Sequence, residues 1–273
     1  QRQMCIRDRF VMALKNGKKR IVVKVGTSTL THETGKANIA LMAKLASVLS
    51  DLKNAGNQII LVSSGAISVG TSRLRLPERP KSTRGLQAAA AVGQSEMMFL
   101  YDKLFSEYGV IVSQLLITYD ELQNPESKRH LVNTIDQLLE YDCLPIVNEN
   151  DSVSVEELLN GDNDCLSASV AVFTSANLLI LLTDTDGLYD GNPAENPNAK
   201  LIRRVDLIDD GIRAITGSAG ARGTGGFITK INAAEIAVTE GVPVVITNGK
   251  KPTDIYKILN GESVGTYFKA VEK

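Results

Sequence analysis

Residues Arg20–Ser28 read RIVVKVGTS. The Ile and Val residues do not alternate with polar ones. They therefore read as a strand covered on both faces, as in a parallel sheet between two helical layers. Two features break the apolar run. Lys24 lies inside it, where an ammonium group is unfavourable to bury without anionic company. Gly26 ends it and is followed by the hydroxyls of Thr27 and Ser28. An edge strand with its lysine in water would account for Lys24, but apolar residues on both sides favour a central strand. In open α/β sheets ligands gather at the carboxyl ends of strands. There a glycine lets the backbone approach a ligand, and amides at a helix start attract anions.

Similar runs recur along the chain: Gln58–Ser63, Val110–Leu116, Leu144–Asn148, Leu178–Thr183 and Val242–Thr247. Helical patterns separate them. Ile39, Met42, Leu45, Ala46, Leu49 and Leu52 form one stripe ahead of Gly56. Arg84–Tyr108 is an Ala- and Met-rich stretch closed by Gly109, and Leu131–Leu139, Asp164–Ala176 and Thr229–Glu240 give three more helices. Strands alternating with helices predict a mostly parallel sheet with helices on both faces. The expected division is two lobes sharing one sheet, with a seam near residue 175.

Composition narrows the function. The chain has 273 residues, 43% of them hydrophobic and 22% charged, which is ordinary for a globular protein. A net charge of -1 argues against a general nucleic-acid binder. No apolar run reaches the ~18 residues that a membrane span needs. Cys5, Cys143 and Cys165 are odd in number and widely spaced, which fits a reducing cytoplasm. With only His32 and His130 present, a histidine-centred triad or a multi-histidine metal site is not expected. Residues 1–11 lack a helical or strand period and the apolar core of a signal peptide. They are expected to lie outside the fold, which would begin at Met12.

Further strand ends carry polar groups. Leu61–Ile67 reads LVSSGAI, and Leu181–Tyr189 reads LLTDTDGLY. Val147–Val153 reads VNENDSV, and Gly161–Asp164 reads GDND ahead of a helix. Asx turns and helix caps account for part of this acidic, amide-rich cluster, but its place after a strand suits an ammonium or hydroxyl ligand. The stretch Gly223–Lys230, GTGGFITK, departs from G-x-x-x-x-G-K-[ST], so it is not a P-loop of that kind. Its amides could still wrap phosphate oxygens, and Lys230 could add a point charge.

Together these segments resemble the amino-acid kinase family. The resemblance runs from about Arg20 to Phe268 and rests on eight motifs in order: KVGTS, SSGAI, AAVGQ (Ala90–Gln94), VNEND, GDND-x-LSA, LLTD-x-x-GLY, GTGG-x-x-TK and SVGTYF (Ser263–Phe268). It implies a three-layer αβα sandwich around a mainly parallel sheet of about eight strands. It also implies transfer of the ATP γ-phosphoryl group, with Mg²⁺, to the side-chain carboxylate of L-glutamate. Lys24 and Lys230 would flank the transferred group and Asp164 would orient them. Ser64, Gly65, Asp151 and Asn163 would hold glutamate. Lys24, Gly26, Thr183, Asp184, Thr224, Gly225, Gly226, Phe227, Ile228, Thr229 and Lys230 would hold ATP. No protein ligand of the metal is implied. Residues 12–175 would form the glutamate lobe and 176–273 the nucleotide lobe. L-Proline would be a feedback inhibitor and a glutamyl phosphate reductase a partner, within a homo-oligomer. Many bacterial members continue into a PUA domain, and the expectation is a form lacking it. The runner-up is an acetylglutamate- or uridylate-kinase-like member. From another class comes a non-catalytic ligand-binding regulator on the same fold.

Overall fold

The computed structural model describes residues 17–153, 163–193, 195–216 and 227–272. Within them lie β1 (Arg20–Val25), α1 (Thr27–Leu30), α2 (Ile39–Asn54), β2 (Gln58–Val62), α3 (Ala66–Arg73), α4 (Thr83–Ser106), β3 (Ile111–Ile117), α5 (Tyr119–Gln123), α6 (Pro125–Glu140) and β4 (Cys143–Glu149). The rest of the described chain adds α7 (Asn163–Phe173), β5 (Leu178–Thr183), β6 (Arg204–Val205), α8 (Asp210–Thr216), α9 (Phe227–Thr239), β7 (Val244–Asn248), α10 (Asp254–Leu259) and β8 (Thr266–Phe268).

The strands form one eight-stranded sheet in the order β3-β4-β2-β1-β5-β7-β8-β6. All neighbours are parallel except β7 and β8. β1 lies between β2 and β5, so Lys24 is on a central strand and the edge-strand explanation for it fails. Lys24 pairs with Val62 on one side and Leu181 on the other. That register sets the carboxyl ends of β1, β2 and β5 level with one another.

Alternation along the strands sorts their side chains into two cores. Ile21, Val23, Val25, Ile59, Leu61, Leu178 and Ile180 face one way, with Met42, Leu45 and Leu49 of α2 and Met97, Tyr101 and Phe105 of α4. Val22, Ile60, Val62, Leu179 and Leu181 face the other, with α7 (Leu166, Ala168, Val170) and α9 (Ile231, Ala233, Ala234, Ala237). Each fully buried aliphatic side chain contributes roughly 1.5–3 kcal/mol relative to leaving it in water. Lys24, two residues after Val22, belongs by the same alternation to the face that α7 and α9 cover.

The helix patterns read from sequence are present with shifted ends. α6 starts at Pro125, six residues before the expected Leu131, because Asn124 caps it and accepts from the amides of Glu126 and Ser127. Short α1, α3, α5, α8 and α10 were too brief for a hydrophobic period to mark them. The expectation of strands covered on both faces fails at β3. It is an edge strand, and Ile111 is exposed despite its apolar neighbours.

Among the described residues the tightest helix contact is between α3 and α4. A Cβ on Gly70 would lie 1.7 Å from Ala89 O, and one on Gly93 would lie 1.8 Å from Ala66 O. Only glycine at both positions lets the two backbones meet. Ala66 opens α3 just after the β2 turn, so this crossing brings the middle of α4 to the carboxyl edge of the sheet.

Candidate active site

The β1 and β2 turns leave the sheet side by side. Gly26 follows Lys24, and a Cβ there would lie 3.7 Å from the Lys24 ammonium nitrogen. The β2 turn runs Ser63-Ser64-Gly65, where Gly65 takes a φ of 101°, a left-handed conformation that favours glycine. Ser63 and Ser64 are buried.

Asp164 stands at the centre. It sits in the first turn of α7, where a carboxylate complements the helix dipole, and it is 2% exposed. Lys24 Nζ lies 2.6 Å from its Oδ1, and Lys230 Nζ lies 3.1 Å from its Oδ2. The Thr229 hydroxyl donates to the same Oδ2 at 2.8 Å. Lys24 comes from β1, Asp164 from α7, and Thr229 and Lys230 from the first turns of α9. Burial by itself would raise the Asp164 carboxyl, but attraction to Lys24 and then Lys230, with hydrogen bonds from Lys24 and Thr229, holds it far below the usual carboxylate range. Two ammonium groups share one carboxylate, so the cluster keeps an excess of positive charge. It is sheltered from solvent and suited to an anion.

A second cluster is neutral and amide-rich. Asn163, beside Asp164, is 2% exposed. Its Nδ2 lies 2.9 Å from the Ser63 carbonyl, 2.9 Å from Ser64 Oγ and 2.8 Å from Asn148 Oδ1. Asn148 Nδ2 in turn donates to Gln94 Oε1 of α4 at 2.8 Å. Ser63 Oγ and the Tyr101 hydroxyl are 2.9 Å apart. Burial pushes the Tyr101 phenol upward, which keeps it protonated. Glu149 and Asp151, at and just past the end of β4, are also buried.

The sequence-read candidates fall into three groups. Lys24, Asp164, Thr229 and Lys230 are in direct contact, and Ser64 and Asn163 adjoin them. Gly26, Gly65 and Asp151 lie on the same edge of the sheet, in the turns after β1, β2 and β4. Thr183 ends β5, where its hydroxyl donates to Asp184 Oδ1 at 3.0 Å and its carbonyl accepts from Gly249 N at 2.7 Å. Asp184 is exposed to solvent. Phe227 and Ile228 open α9 one turn from the ion pairs. Thr224, Gly225 and Gly226, with Gly161 and Asp162, lie outside the described residues. Sequence reading missed Ser63, Gln94 and Tyr101 as parts of the site. Gln94 did stand in the AAVGQ motif, but nothing in its spacing showed what it would touch.

Among the described residues no group of three or more His, Cys, Asp or Glu is placed to hold a metal ion. Asp164 has both oxygens engaged by ammonium groups.

The profile described as "Amino acid kinase family" matches residues 19–248. A protein named glutamate 5-kinase from Clostridium perfringens is 48% identical over 263 residues, covering 94% of this chain and 97% of that protein. A glutamate 5-kinase from Clostridium acetobutylicum is 52% identical over 250 residues, covering 91% and 94%. Among solved structures, carbamate kinase from Giardia lamblia bound to AMP-PNP superposes with a TM-score of 0.63 at 15% identity, over 93% of this chain and 99% of that one. At that identity the likeness speaks for the fold alone.

Proposed function

The chain belongs to the amino acid kinase family, within its glutamate 5-kinases, and we propose that it transfers the γ-phosphoryl group of ATP to the side-chain carboxylate of L-glutamate, giving L-glutamyl 5-phosphate for proline synthesis. The observation that carries the chemistry is the buried Lys24–Asp164–Lys230 bridge at the carboxyl edge of the sheet.

The acceptor carboxylate, with an ordinary pKa of ~4.3, is already ionised at neutral pH. No general base is needed. The obstacle is repulsion between an anionic nucleophile and a polyanionic donor. Such transfer is catalysed by positioning and by charge placed around the moving group. A glutamate side-chain oxygen forms a bond to the γ-phosphorus, the bond from that phosphorus to the bridging oxygen breaks, and its electron pair leaves on ADP. Lys24 reaches the transferred group from the β1 side and Lys230 from the α9 side. Asp164 keeps the two ammonium groups together at a separation that their mutual repulsion would otherwise widen. Thr229 pins the carboxylate that they share.

Asp151 receives the substrate ammonium, while Ser64, Gly65 and Asn163 line the amino-acid side. Gly26, Thr183, Asp184 and the 224–230 segment, whose Thr229 and Lys230 stand in the first turns of α9, line the nucleotide side. When bound with the nucleotide, Mg²⁺ would neutralise part of the phosphate charge, and no protein ligand is assigned to it. Residues 12–175 then serve mainly the amino acid, with Lys24 and Gly26 reaching the nucleotide side, and 176–273 serve the nucleotide. L-Proline, which shares the amino-acid backbone of glutamate, acts as a feedback inhibitor at the glutamate site. The acyl phosphate product is labile, which favours a reductase partner close by. The working form is a cytoplasmic homo-oligomer.

The test is hydroxylamine trapping with Mg-ATP. Hydroxamate should form with L-glutamate and not with N-acetylglutamate or UMP, and L-proline should suppress it. ATP turnover with no hydroxamate from L-glutamate would refute the assignment.

A further inference from the structure

A line of side-chain amides runs from the cleft out to α4, and its polarity is fixed at one end. The Ser63 carbonyl can only accept, so Asn163 must turn Nδ2 toward it. Asn148 must then turn Oδ1 toward Asn163. Its own Nδ2 must donate outward, and the group that receives it is Gln94 Oε1. Asn148 is 1% exposed, so with Gln94 in place its amide meets no bulk water. At the inner end Asn163 Oδ1 is buried and has no hydrogen-bond partner among the described residues. A buried carbonyl oxygen left without a donor marks a place where a ligand donor fits.

Gln94 reaches Asn148 for a packing reason. It follows Gly93, the residue on which α4 meets the α3 backbone at Ala66. The closest helix crossing among the described residues thus delivers one amide to the end of the line.

We propose that Gln94 is a positioning residue for the amino-acid substrate. By accepting from Asn148 it keeps Asn148 against Asn163, and so keeps Asn163 Oδ1 aimed as an acceptor for the substrate ammonium. This rests on the reading above that the Asn163 side of the cleft takes the amino acid. Without an acceptor at position 94, the buried Asn148 amide must turn away to find one, and Asn163 loses an anchor.

The test compares Gln94→Leu, Gln94→Glu and Gln94→Lys with the unmodified enzyme, by KM for L-glutamate, KM for ATP and kcat. Glu keeps an acceptor oxygen, whereas Leu offers none and Lys offers only donors. The expected result is a glutamate KM about tenfold higher for Leu and Lys, near normal for Glu, with ATP KM unmoved in all three. Simple charge attraction for an anionic substrate predicts the reverse order, with Lys better than Glu. That order, or an unchanged glutamate KM in Gln94→Leu, overturns the proposal. If Gln94→Leu does not fold, Gln94→Lys carries the comparison, because position 94 is only partly buried and a long polar chain can reach water. If the unmodified enzyme fails to phosphorylate glutamate, the functional reading falls and takes this one with it. Normal turnover by the unmodified enzyme, together with the reversed order, removes the role of Gln94 alone.

Discussion

Lys24 Nζ lies 2.6 Å from Oδ1 of Asp164, a contact between the central strand and a helix that begins well over a hundred residues later. Lys230 holds the other oxygen of the same carboxylate. The three charges form one unit, since moving any member exposes the other two to a changed field.

Removing either ammonium therefore tests the chemistry directly. Lys24→Ala and Lys230→Ala should each lower kcat by about 10²-fold, the scale for losing one charge-stabilising donor. Steady-state kinetics with saturating glutamate and ATP reads this. Normal turnover in both variants would remove the lysines from the reaction.

Acid should weaken the unit in a predictable direction. The Asp164 carboxyl is held below its unfolded value, so its contribution to stability is full above the ordinary carboxylate range. It is lost as pH falls through the folded value. Urea unfolding from neutral pH down to about pH 3 should show the stability gap between the native protein and Asp164→Asn narrowing as pH falls. At neutral pH the variant should be less stable by about 3–5 kcal/mol, the scale for breaking a buried ion pair. A gap independent of pH would mean that Asp164 is not ionised in the folded protein.

Asp151 is buried just past β4, on the amide-rich side. Asp151→Asn should raise KM for L-glutamate about tenfold or more, consistent with loss of a charge-assisted hydrogen bond. KM for ATP should not move. A selective loss of ATP affinity would place the acidic residue at the other end of the cleft.

The α3–α4 crossing makes a prediction about stability. Gly70→Ala and Gly93→Ala each put a methyl group inside van der Waals distance of backbone, not of a side chain that could swing away. Each should destabilise the fold by about 3 kcal/mol, at the upper end for overpacking, as measured by denaturant unfolding. Gly93→Ala should also raise KM for glutamate, because it displaces Gln94 next to it. A neutral Gly93→Ala would show that the helices can part at little cost.

Much of the fold was legible because parallel-sheet physics leaves a strong signature. The six long strands are mainly apolar runs without strict alternation, and the caps of α2, α4 and α9 fall near Gly56, Gly109 and Gly241, all with positive φ. β6 and β8 were not legible. They have two and three residues, and β8 runs antiparallel to β7, so neither a long apolar run nor a following helix announces it. β3 misled in the opposite sense. Its apolar run resembles a buried strand, yet nothing in the run says that β4 is its one partner among the described strands.

The site divides in the same way. Lys24 could be singled out from local sequence, since a lysine in an apolar strand needs an anion. Which anion it would find could not be read from local pattern, because Asp164 is one of several acidic residues after β4; only the family resemblance singled out Asp164. Gln94 was still less visible: its partner is set by how closely two helices cross.

Taken alone, the sequence determined the six long strands, the long helices and the polar groups at strand ends, because those depend on apolar patterning, on the 3.6-residue helical period and on what a backbone needs at a turn. Only the tertiary structure decided that Lys24 turns to the face covered by α7 and α9, and that the glycine crossing of α3 and α4 sets Gln94 against Asn148. The reason is physical. Alternation along a strand fixes two faces but not which helices cover each, and that is settled only when both cores pack against the one sheet.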